Sequence, residues 1–157
     1  MCWQCDHPDQ GFDAYIALIR EKILARGWAV QCVEDERRPF AYTIGLHERG
    51  LPELLVTGLA PRQAGWLLST FAKRMLSGLE PVPGEQVSLP AGTRLELVRV
   101  DHPDAHMGIA IAIEGPDVTA VQLVWADDRG RWPWAPNFDD GRRPQPVLGV
   151  RADGARR

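Results

Sequence analysis

Two cysteines and two histidines have the residue types and spacings most suited to chemistry in this sequence. Cys2 and Cys5 form a C-x-x-C pair, a spacing that lets two thiolates reach one tetrahedral ion at about 2.3 Å each. His102 and His106 stand four residues apart, which on a helix projects both imidazoles from one face. Together the four would form a Cys2His2 zinc set, with His7 as an alternative ligand close to the thiols. Only the fold could join the two pairs, which lie far apart along the chain. Other readings stay open. The thiols could be a surface pair near a terminus or a redox dithiol, although no strand precedes them as in a thioredoxin-type motif. His102 could simply open a helix flanked by Asp101 and Asp104, and His106 could be satisfied by a backbone carbonyl.

Two further groups carry chemical potential. His47-Glu48-Arg49 places a proton shuttle, a carboxylate and a cation in a loop between apolar runs. Trp125, Trp132 and Trp134, with Phe138, supply rigid aromatic area that could line a ligand or partner surface, or cover one end of a sheet. A pocket between His47 and the tryptophans would suit a small enzyme using a flavin or a metal-bound water. The sequence contains no G-x-S-x-G, P-loop or G-x-G-x-x-G, which removes support for those enzyme classes.

These residues must be positioned by a series of short elements. Asp9 to Gly27 carries Ile16, Ile19 and Ile23 at helical spacing, with Leu24 beside them. Trp28 to Glu34, Phe40 to Leu46 and Leu54 to Thr57 read as strands. Pro61, suited to a first helical position, opens an amphipathic run through Ala64, Leu67, Leu68, Phe71 and Met75 that stops near Gly78. Gln86 to Leu89 and Thr93 to Val100 bracket Pro90-Ala91-Gly92 as a hairpin. His102 to Gly115 carries both helical and strand signals, and Pro103 with Gly115-Pro116 favours the helix. Val118 to Ala126 is strongly β-forming, and Asp127 to Gly130 reads as a turn into an edge piece, Arg131 to Trp134. The expectation is an α+β fold with a mostly antiparallel sheet of five or six strands and two or three packed helices. Residues 1–138 would form a single domain, with 139–157 a loose tail rich in Asp, Gly, Arg and Pro.

Composition narrows the class. The 157 residues, 45% hydrophobic and 25% charged, suit one ordinary core. A net charge of -3 disfavours nucleic-acid binding, which wants a basic face. No apolar run is long enough to span a bilayer, and the first residues lack the basic and apolar regions of a secretion signal, so the cytoplasm is the expected location. Three cysteines cannot all pair within one chain, so thiols or metal ligands are expected rather than a disulfide framework.

The segments Tyr42-Thr43-Ile44-Gly45-Leu46, Leu51 to Gly58, Gln122 to Asp127 and Gly130 to Trp134 resemble an uncharacterised bacterial family, domain of unknown function four-two-six-two. The likeness runs from about Tyr15 to Phe138, and the start Cys2 to Pro8 is also similar to that of its members. The resemblance implies a shared fold and transfers no catalytic residue. On the residues alone, the first expectation is a non-catalytic or regulatory domain with structural zinc. A small flavin or metal-water enzyme and an interaction module presenting the tryptophans to a protein partner or a second copy are the alternatives, and whether the chain is an enzyme stays open.

Overall fold

A computed structural model describes residues 11–152. Helix α1, Phe12–Arg26, buries Tyr15, Ile19 and Ile23, spaced four apart, and stops at Gly27, whose left-handed backbone (φ 102°) returns its N–H to the Ile23 carbonyl. Leu24 lies off that stripe and is exposed. The chain then forms β1 (Ala29–Val33), β2 (Phe40–Ile44), a single 3-10 turn (Leu46–Arg49) and β3 (Glu53–Thr57). Helix α2, Pro61–Leu76, follows with Pro at its first position. Next come β4 (Gln86–Ser88), β5 (Arg94–Arg99), two short helices α3 (Pro103–His106) and α4 (Gly108–Glu114), and β6 (Ala120–Trp125). The doubly signalled segment after His102 is thus helical, broken at Met107, whose φ of -113° and ψ of 53° leave the helical region.

The six strands make one sheet in the order β1-β2-β3-β6-β5-β4. Among the described residues only β3 and β6 run parallel, with Glu53 opposite Ala120 and Leu55 opposite Gln122; the other pairings are antiparallel. The fold is therefore the expected α+β class. Alternation along the strands gives the sheet two faces. On one, Leu54, Val56, Leu95, Leu97, Leu123 and Trp125 pack under α2 through Leu67, Leu68 and Phe71. On the other, Tyr42, Ile44, Leu55 and Ala120 meet Tyr15, Ile19 and Ile23 of α1 with Met107 and Ala110 beside α4.

Two sequence expectations are corrected. Arg131 to Trp134 is not a strand but a succession of turns, because Pro133 offers no N–H to a ladder and Asp127 takes up the Arg131 amide at 2.8 Å. Nor is the stretch after Phe138 loose up to the last described residue. Residues 144–151 form a strap across the second sheet face, over three strand residues that are polar yet buried: Thr57, Glu96 and Gln122. Gln122 Nε2 and Thr57 Oγ1 both donate to the Pro146 carbonyl at 2.8 Å, and Gln122 Oε1 accepts the Leu148 N–H at 2.8 Å. Glu96 accepts a fork from Arg151, at 2.7 and 3.0 Å. Glycine makes the close approach workable, since a Cβ on Gly149 would sit 1.8 Å from the Arg99 carbonyl oxygen and one on Gly58 2.7 Å from that of Pro144.

Candidate functional site

The carboxyl ends of β3 and β6 carry a closed circuit of interactions. Trp125 ends β6, and its indole N–H donates to the Thr57 carbonyl at 2.8 Å, fixing the ring at the last residue of β3. Two residues on, Asp127 folds its own loop: Oδ1 accepts the Arg129 and Arg131 amides, and Oδ2 accepts Arg131 Nε and the Asp139 amide, both at 2.7 Å. Burial alone would raise the Asp127 carboxyl, but the amides of Arg131 and Asp139 and the Arg131 guanidinium outweigh it and hold the group well below the usual carboxylate range. Asp139, wholly buried, in turn accepts Arg143 Nε at 2.9 Å and Arg143 Nη2 at 3.2 Å, with Arg142 Nη2 also at 3.2 Å. Arg143, ahead of burial, sets its carboxyl below the ordinary value. The circuit closes where the Arg143 guanidinium lies 4.7 Å from the centre of the Trp125 ring. To reach this geometry Asp139 and Asp140 adopt φ of 50° and 52°, a left-handed conformation that non-glycine residues visit rarely and at a cost.

Beside this circuit opens a cavity of about 420 Å3, within the range of small-molecule sites. Trp125 and the half-exposed Trp66 of α2 supply its aromatic lining, with Arg62 and Gln63 from the first turn of α2, Arg143 from the strap side, and Asp128 and Thr93. Among the described lining residues there is no histidine, cysteine, serine, glutamate or lysine. The arrangement can stack a ring and meet an anion.

His47 lies at the other end of the parallel pair. It follows β2, next to the start of β3, where the buried Glu53 carboxylate gathers the turn: Thr43 Oγ1 donates to it at 2.8 Å and the amides of Gly45, Leu46 and His47 at 2.9, 3.2 and 3.1 Å. Burial pushes the Glu53 carboxyl up to about 7 despite those four donors. The pocket expected between His47 and the tryptophans does not form, because β3 runs from the His47 turn to Thr57 and the Trp125 indole. Five residues of strand separate the two ends by roughly 15 Å at about 3.3 Å per residue.

The other sequence candidates are scattered. Trp132 and Trp134 stack on each other, 5.5 Å between centres, with Arg94 over the first and Arg151 over the second. They lie beside the β5 end of the sheet, and only Trp125 of the three lines the cavity. His102 caps α3 and is exposed, while His106 ends it half-buried. Cys2, Cys5 and His7 lie outside the described residues. Among the described residues no three of His, Cys, Asp and Glu are grouped to hold an ion.

Sequence reasoning missed Arg62, Trp66, Asp127, Asp139, Arg143 and Gln145. The clearest available signal was in the strands: Thr57, Glu96 and Gln122 interrupt apolar runs at alternate positions, which reads as a solvated face unless later chain covers it. No curated protein matches this chain, and no solved structure does. The model of one family matches residues 22–139, spanning the sheet, α2 and the Asp127 loop as far as Asp139, and the chain belongs to that family, described as domain of unknown function (DUF4262).

Proposed function

We propose that this domain binds a small organic ligand with a flat ring in the pocket at the carboxyl ends of β3 and β6, as a non-catalytic module. The observation that carries the reading is the pairing of a buried indole, Trp125, with a second indole, Trp66, left 49% exposed on the lip of the same 420 Å3 cavity. A large exposed aromatic side chain lining a cavity is a feature of binding surfaces rather than of closed cores. The lining residues favour binding over turnover, since their one carboxylate, Asp128, and one hydroxyl, Thr93, have no histidine, cysteine or lysine beside them among the described lining residues. Calorimetric titration with a panel of aryl ligands, flavin mononucleotide included, tests it. Expected is micromolar binding of at least one, weakened tenfold or more by Trp66→Ala with unchanged melting. Silence across the panel, or indifference to Trp66→Ala, overturns the reading.

Zinc held by Cys2, Cys5, His102 and His106, with His7 as the alternative, is a second proposal. It is supported by ligand type and spacing, and by two imidazoles that make no side-chain hydrogen bond among the described residues. Elemental analysis should find close to one zinc per chain, lost in His106→Ala. Less than about 0.2 per chain, with melting unaffected by a chelator, removes it.

A further inference from the structure

We infer, resting on the pocket reading above, that the ligand is an anion whose carboxylate or phosphate is met by Arg143 and Arg62. Arg143 is held on two sides before any ligand arrives. Its Nε and Nη2 are fixed by the buried Asp139 carboxylate, and its Cζ lies 4.7 Å from the centre of the Trp125 ring. The remaining terminal nitrogen, Nη1, makes no hydrogen bond among the described residues. A guanidinium already ordered in this way loses little freedom on meeting an oxyanion, and its planar fork suits carboxylate and phosphate.

The backbone points the same way. Two consecutive aspartates are bent into the left-handed region at Asp139 and Asp140, and Asp127 anchors the first of them by its amide. Strain of this kind persists where surrounding structure enforces it, and here it sets Arg143 against the cavity wall. Arg62, exposed in the first turn of α2, lines the same cavity and has no ion pair among the described residues. Asp128, the only carboxylate among the described lining residues, is exposed and would disfavour a second negative group on the ligand.

Probe pairs that differ in the presence of an anionic group decide it. Calorimetry on the full chain would compare indole-3-acetate with indole-3-acetamide, and adenosine 5′-monophosphate with adenosine. The expected result is that the charged member of one pair binds at least tenfold tighter, the pair concerned distinguishing carboxylate from phosphate, and that Arg143→Lys and Arg62→Gln each shrink the gap. Arg62 is exposed, so its variant keeps the test valid should Arg143→Lys fold poorly. Equal binding within both pairs, or a charge preference untouched by either variant, overturns this inference and leaves the pocket standing. No binding of any of the four overturns this inference, and the pocket reading falls with it when the wider aryl panel is silent too.

Discussion

The side chain of Gln145 pairs with the backbone of Trp125 as a strand would: Oε1 accepts the Trp125 N–H at 2.9 Å and Nε2 donates to the Trp125 carbonyl at 2.8 Å. In the parallel register Trp125 falls opposite the residue after β3, where the ladder has run out. One amide side chain therefore extends the sheet by one residue at the edge of the cavity. Leaving a buried backbone group without a partner costs about 1–3 kcal/mol. Gln145→Leu should accordingly lower the urea midpoint by a loss of about 1–3 kcal/mol or more, with an unchanged m value. A variant as stable as the parent would show that the Gln145 pairing contributes nothing to stability.

Gly149→Ala probes the same strap from its far end. The added methyl would lie 1.8 Å from the Arg99 carbonyl oxygen, and two backbones cannot give way as a flexible side chain can. Limited proteolysis should cut the variant within residues 141–151 under conditions that spare the parent.

Glu53 makes stability depend on pH. Its carboxyl rises from 4.5 to about 7 in the folded protein, so the native state holds the proton more tightly than the unfolded chain. The contribution is therefore complete below about pH 4.5 and lost as pH climbs through about 7, on the order of 3 kcal/mol at 1.36 kcal/mol per pKa unit. Glu53→Gln should remove this slope. It should also be destabilised, because both carboxylate oxygens receive donors and an amide N–H would face one of them. Chemical denaturation from pH 5 to 8 measures the difference between the two proteins. A constant difference across that range would mean Glu53 does not titrate there.

Asp127 and Asp139 act with the opposite sign. Both are held below 3.8 in the folded state, so the stability they supply is present at neutral pH and disappears as pH falls through and below that value. Asp127→Asn should melt several degrees lower at pH 7, with the gap to the parent starting to narrow below about pH 4 and closing only well below pH 3. It should also weaken ligand binding in the Trp66–Trp125 pocket, since the Asp139 amide loses an ionised acceptor and Arg143 loses its placement. A gap that does not narrow at all between about pH 5 and pH 2 would show that the carboxylate's charge is not what matters.

The local pattern of the chain reached α1, α2, the strands and the helical stretch after His102, because each buries its own stripe or face and the spacing of Ile19 and Ile23, or of Leu67, Leu68 and Phe71, records it. The same local logic misread residues 139–152. Their sparse apolar content describes a tail, and only the tertiary structure supplies the buried Thr57, Glu96 and Gln122 that this segment satisfies.

Sequence order alone established that this is one α+β domain of the DUF4262 family with three tryptophans near its last strand. It suggested a pocket joining His47 to those tryptophans, and strand direction decided otherwise, since β3 starts at one and ends at the other. The Trp125–Arg143 contact, by contrast, depends on a polar circuit through Asp127 and Asp139. Hydrogen bonds between residues distant in sequence leave no periodic trace along the chain, so only folding reveals where they converge.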